Sequence, residues 1–150
     1  MQKQINLGNE KAAIETLEQI KSGENNYDVR ITNSHITKLN NILGKRVFKK
    51  DVVYVNSQTL IEIMKPIGGK GQHHFHGLTS KNIFDALRTM KDSTDIRVSY
   101  GERYIIVTLA TVFDNINVAV IVTPKGTIKA DTKHNVTRII TLYPYNKNKC

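Results

Sequence analysis

The sequence predicts an α+β domain: helices in its first half packed on an antiparallel sheet formed by its C-terminal half. Apolar residues recur at helical spacing as far as Met90, and from Ile96 onward short runs rich in β-branched and aromatic residues take over. Brief polar connections separate those runs, and helices followed by closely spaced strands is the α+β pattern.

Ala13, Ile14, Leu17 and Ile20 share one side of a short amphipathic helix over 12–20, and the turn-formers from Ser22 to Asn26 break it. Residues 1–28 read as an N-terminal helical or linker segment, and 29–150 as the working part of one compact domain. A second helix is expected from Asn33 or Ser34, both good caps, with Ile36, Leu39, Ile42 and Leu43 inward and Gly44 ending it. Val52–Val55 reads as a strand. Ser57 is placed to cap a third helix through Leu60, Ile61, Ile63 and Met64, which stops near Pro66 and Gly68-Gly69. Thr79 or Ser80 caps a fourth, with Ile83, Leu87 and Met90 inward. Strands follow at 96–100, 103–113, 117–123 and 136–143, with turns at Asp114-Asn115 and Pro124-Lys125-Gly126 and a frayed tail after Pro144.

A chain of 150 residues suits one domain and needs no covalent staple to fold. Its single cysteine, Cys150, allows no internal disulfide and no cysteine cluster for zinc. No apolar run approaches the roughly 18–20 residues of a membrane span. The polar start from Met1 to Glu10 lacks the apolar core of a signal peptide, so passage across a membrane is expected to depend on something outside this sequence. The net charge is +9. Residues 1–28 hold three Lys against five Asp or Glu, so the remainder carries the whole excess. Such a body attracts polyanions and gains free energy by releasing their counterions. The same balance also describes a merely soluble basic surface.

Four residues stand out as candidates for chemistry. A period of two along Val136–Tyr143 puts Thr137, Ile139, Thr141 and Tyr143 on one face, with Val136, Arg138, Ile140 and Leu142 on the other, mainly apolar one. The first face ends in a hydroxyl beside a phenol, both able to donate to a phosphate oxygen. A solvated sheet face carries the same residue types. His35, in the first turn of the second helix, has the side chain best suited to proton transfer near neutral pH, although a lone helix histidine is commonly structural. Arg46 follows the end of that helix and offers a planar fork of donors to a phosphate.

Together these residues resemble the barnase–EndoU–colicin–RelE superfamily, in particular the transfer-RNA nuclease domains of contact-dependent growth inhibition and phage-borne toxins. The resemblance rests on a histidine at a helix start after Ile31-Thr32-Asn33-Ser34, an arginine past that helix, a strand-rich second half and a terminal Thr-x-Tyr. It implies His35, Arg46, Thr141 and Tyr143 as the catalytic set of a ribonuclease needing no metal or other cofactor, with transfer RNA as the favoured substrate. It also implies a toxin delivered on a larger secreted or cell-surface protein, acting in the cytoplasm of a target bacterium and neutralised by a cognate immunity protein. An acidic one suits a basic cleft. A need for a host activating factor is left open.

Other residues hold competing or reserve roles. His73, His74 and His76 stand close enough to suggest zinc, but no Cys, Asp or Glu occurs between Glu62 and Asp85 to complete a ligand set. A loop touching RNA is the stronger reading, with His76 as reserve catalytic histidine. Lys70 lies in a glycine-rich loop without the Gly-Lys-Ser/Thr ending of a P-loop. Arg97 and Arg103, near Tyr100 and Tyr104, and Arg138 are reserve RNA contacts; Tyr104 is equally a core residue, and His134 receives no role. The rival classes are a noncatalytic basic nucleic-acid-binding module and a metal-dependent hydrolase built on the histidine loop.

Overall fold

The computed structural model describes residues 3–23, 26–33, 36–44, 46–66, 76–93, 95–99, 103–109, 117–128 and 131–145. Within them the chain is an α+β domain with four α-helices and one seven-stranded sheet. The elements are β1 (Lys3–Asn6), α1 (Glu10–Ser22), β2 (Asp28–Thr32), α2 (Leu39–Leu43), β3 (Val52–Asn56), α3 (Ser57–Met64) and α4 (Ser80–Thr89), then β4 (Asp95–Ser99), β5 (Arg103–Leu109), β6 (Asn117–Ile128) and β7 (Asp131–Tyr145). Short 3₁₀ turns precede α2 and follow α4.

The strand order is β1-β2-β3-β7-β6-β5-β4. β4 to β7 form the expected antiparallel meander, but the sheet is not confined to the C-terminal half. β1, β2 and β3 extend it, with parallel pairing between β1 and β2 and between β3 and β7. β1 and α1 belong to the same core, where Ile5, Ala13, Leu17 and Ile20 are buried with residues of every later layer.

The helices gather on one side of the sheet. α1 touches α3 and α4, α3 lies on β7, and α4 lies on β5 and β6. Val29, Ile31, Val53, Val55, Ile106, Val120, Val122 and Ile139 are buried and paired in register, which defines the helix-facing side. The start of α4 spans α1: Lys81 pairs with Glu10 at the beginning of that helix, and the Ser80 hydroxyl donates at 2.7 Å to Glu18 in its second half.

Some local expectations hold and others are corrected. Thr79, one of the two expected residues, caps α4 in a reciprocal capping box with Asn82, and Asn9 caps α1. α3 is capped by the Asn56 side chain; the Ser57 hydroxyl instead accepts from the Tyr27 backbone N–H at 2.9 Å. Asn33 does not cap the second helix either. Its buried side chain donates to the Leu87 carbonyl at 2.6 Å, and the chain passes through a 3₁₀ turn before five residues of α2. So short a helix has no room for a full apolar stripe, and Ile42 is 48% exposed rather than inward. Gly44 does end α2, in the left-handed conformation at φ 71° that glycine adopts without steric cost.

The largest correction concerns β6 and β7. Pro124-Lys125-Gly126 lies inside β6, where register shifts take up its irregularity, and pairing continues to Ile128↔Asp131. A further shift sits at Ile140, because Ile121 faces Thr141 while Val122 faces Ile139. That bulge reverses the alternation. Ile139 and Leu142 are both buried on the helix side, so Thr137 and Ile139 do not share a face with Thr141 and Tyr143. Arg138 does.

Gly126 answers to a packing demand. A Cβ there would sit 2.5 Å from both Cγ and Cδ of Arg138 and 2.8 Å from its Cβ, the near part of a stem that cannot swing aside cheaply. Gly126→Ala is expected to destabilise the domain by about 1–3 kcal/mol. Denaturant unfolding followed by circular dichroism checks this.

Candidate functional site

β3 and β7 pair only at Tyr54↔Arg138 and Val55↔Ile139. On the N-terminal side of that contact the two strands separate, and a cleft of about 460 Å³ opens at the fork. Val52 and Tyr54 line it from β3, and Asn135, Val136 and Thr137 from β7. Arg30 contributes from β2, Tyr104 from β5, and Pro124 and Lys125 from β6. The segment leading into β3 supplies Arg46, Val47, Lys49 and Lys50. Five of these residues are cationic, and among the described lining residues none is acidic. Like charges gathered around a concave surface raise the potential there and favour a polyanion.

The cationic segment is held by its backbone. Asn40 on α2 accepts from the N–H groups of Val47 and Phe48 at 2.8 Å each and donates to the Phe48 carbonyl at 2.8 Å. Asp51 closes the other end, accepting from the Thr37 N–H at 2.8 Å and, through its carbonyl, from the Asn33 N–H at 3.0 Å. Phe48 is fully buried against Tyr104, with ring centroids 6.2 Å apart. The side chains of Arg46, Lys49 and Lys50 are exposed on a backbone that is already fixed.

The sequence candidates fall in different places. Arg46 lines the cleft; it also borders a shallow depression on the α2 side with Thr37, Asn41 and Lys49. Thr141 and Tyr143 lie further along β7 and do not line the cleft. From Thr137 to Tyr143 is about 20 Å at strand spacing. Tyr143 has another neighbour: the His76 ring, 6.3 Å away between centroids and tilted by 46°. Hydrogen bonds from Gly77 to the Lys65 carbonyl and from Leu78 to the Ile63 carbonyl anchor the chain just after His76 to the end of α3. His35, Lys70, His73 and His74 lie outside the described residues. The described residues thus bring His76 to Tyr143, and Arg46 to Thr137, as two separate groupings.

Arg138 is committed within the fold. Its Nη1 donates to Asp28 at 3.0 Å and to the Thr127 carbonyl at 2.8 Å. Arg97 lies 3.4 Å from Asp95 on the edge strand, and Arg103 is exposed on β5. Tyr104 is a core residue that also forms part of the cleft wall. His134 is exposed on the β7 arm.

The sequence reading missed Arg30, Lys49, Lys50, Tyr54 and Lys125. A signal existed for two of them, since Lys45-Arg46-Val47-Phe48-Lys49-Lys50 interleaves four cations with a core aromatic. For the others, membership depends on strand pairing that no local pattern contains.

No family model matches the chain, and no curated protein or solved structure matches it either. Among the described residues, no helix is long and apolar enough to cross a membrane.

Removing the Asn40 amide leaves two part-buried N–H groups and a carbonyl without their partner. Asn40→Ala is therefore expected to lower stability by about 2 kcal/mol and to speed amide hydrogen exchange at Val47 and Phe48. Exchange there at the wild-type rate would show that the side chain does not hold the segment.

Proposed function

We propose that this domain is a metal-independent endoribonuclease, the RNA-cleaving toxin part of an interbacterial competition system, and that RNA docks in the basic cleft at the β3–β7 fork. The observation that carries the docking is the five-cation lining with no acidic residue among its described members. Transfer RNA as substrate, delivery into a target bacterium and an immunity protein rest on the resemblance to the barnase–EndoU–colicin–RelE superfamily. An acidic immunity protein that covers the fork blocks RNA by occupying the same charges.

The chemistry uses the substrate's own nucleophile. A base takes the proton of the RNA 2′-hydroxyl, the 2′-oxygen attacks the adjacent phosphorus, and an acid protonates the departing 5′-oxygen. The products are a 2′,3′-cyclic phosphate and a 5′-hydroxyl. Donors that stabilise the charge gathering on the phosphoryl oxygens lower the barrier. Tyr143 and Thr141 supply such donors, and the ring contact between His76 and Tyr143 favours His76 for proton transfer beside them. His35 remains the alternative that the resemblance names. Arg46 belongs to docking in this scheme.

The separation of Arg46 from Thr141 and Tyr143 favours one further reading, a noncatalytic module that binds nucleic acid through the same cleft. Incubation of the domain with total RNA and mapping of the ends separates the two. Cleavage that persists in excess EDTA and leaves 2′,3′-cyclic phosphates is expected; intact RNA that nonetheless binds would establish the noncatalytic module. Cleavage lost with EDTA and restored by zinc or magnesium would point to metal hydrolysis.

Single substitutions divide binding from catalysis. Lys49→Glu is expected to weaken RNA affinity and flatten its dependence on salt, because fewer counterions are released. His76→Ala is expected to slow cleavage by about 10²–10⁴-fold with RNA affinity nearly unchanged. Wild-type cleavage by His76→Ala together with an inactive His35→Ala would return the proton-transfer role to His35.

A further inference from the structure

The cleft at the fork is amphipathic as well as basic. Val52, Tyr54, Pro124 and Val136 form half-buried apolar walls, while Arg46, Lys49 and Lys50 are exposed around them. Phosphates alone need the cations and leave the walls without a partner. A nucleic-acid duplex shows the protein phosphates, sugars and groove edges, and its base faces are hidden by stacking. A base out of the stack has a free aromatic face for a tyrosine, and its flanking phosphates reach the surrounding cations. The volume of about 460 Å³ lies in the range of sites that enclose a small organic ligand. Tyr54 is well placed for this contact, because it lines the cleft and Arg30, another lining residue, stands opposite it on β2.

We infer that the fork is a subsite for one unstacked nucleotide of a single-stranded segment, with the base against Tyr54 and its flanking phosphates on the Arg46–Lys50 segment. This deepens the proposed function and rests on its placement of nucleic acid in the cleft. It assigns Tyr54 a binding role, and makes the domain selective for single strands at a place distinct from the His76–Tyr143 end of β7.

The test uses a short 2′-O-methyl oligoribonucleotide, which lacks the attacking hydroxyl and so reports binding without cleavage. Its affinity is measured by fluorescence anisotropy, alone and annealed to its complement, at one salt concentration. The single strand is expected to bind roughly 10-fold tighter than the duplex, and Tyr54→Leu to lose roughly 10-fold in single-strand affinity while Tyr54→Phe keeps it. Equal or tighter duplex binding, or wild-type affinity in a folded Tyr54→Leu, overturns the inference. If Tyr54→Leu fails to fold, wild-type protein is titrated with adenosine 5′-monophosphate and with inorganic phosphate. Amide shifts at Val52, Tyr54 and Val136 with the nucleotide only support the subsite; identical shifts with both overturn it. RNA cleavage by a protein indifferent to Tyr54 leaves the ribonuclease reading standing without this subsite. Tyr54-dependent single-strand binding with no cleavage of natural RNA does the reverse.

Discussion

The joint between β3 and β7 is the constraint on which the rest of the architecture depends. Two residue pairs connect the strands of the N-terminal half to the C-terminal meander. Alone, so short a parallel contact is weak, and three reinforcements surround it. Val55 and Ile139 carry it into the core beneath the helices. α3 packs on β7. Arg138 reaches past Tyr54's strand to Asp28 on β2 while also bonding Thr127 on β6, so one guanidinium nitrogen spans the joint. The fork opens because the pairing stops, and the cleft exists because the fork opens.

Charge is sorted by the same architecture. The acidic residues of α1 sit on the helix side, where Glu10 pairs with Lys81 and Glu18 accepts from Ser80. The Glu10 carboxyl is held below its ordinary range by that hydrogen bond to Lys81. Asp85, buried in α4, lies 3.4 Å from Lys81 and 3.2 Å from Arg88. Glu10 and Glu18 are thereby occupied in joining α1 to α4 and Asp85 with cations of its own helix, while the fork is lined by cations. An excess of positive charge in a sequence says that a polyanion is attracted; only the pairing of the carboxylates says where.

How much was legible in the residues follows from which forces act locally. α1, α3 and α4 could be read because their apolar spacing and their caps or stops lie within a few residues of one another. α2 was readable in its place and in its stop at Gly44 but not in its start or its inward face, because Asn33 answers to Leu87 far away in the sequence and Ile42 is 48% exposed. β1 and β2 were missed because their four and five residues mix charged and amide side chains with only one or two valines or isoleucines, whereas β3, equally short, is mostly valine and tyrosine. Pro124 and Gly126 are strong turn signals, yet a bulged strand tolerates both, and the stem of Arg138 needs the glycine. The bulge at Ile140 is the costliest omission: it alters which residues share a face without altering their spacing. Arg46 was readable as a cation beyond a helix, but Tyr54 becomes a site residue only when β3 is set beside β7.

β7 is three times as long as β3, fifteen residues against five, and residues 131–137 extend past the joint with β6 as their one paired strand among the described residues. That overhang is a two-stranded ribbon of roughly 23 Å at strand spacing, and ribbons of two strands twist and bend more readily than wide sheets. One jaw of the cleft is therefore compliant and the other, the Asn40-braced segment, is stiff. Any change in the width of the cleft therefore falls to the ribbon. The Arg138 side chain crosses its root, so the spacing of the cations on the two jaws is tied to a salt bridge on the neighbouring strands.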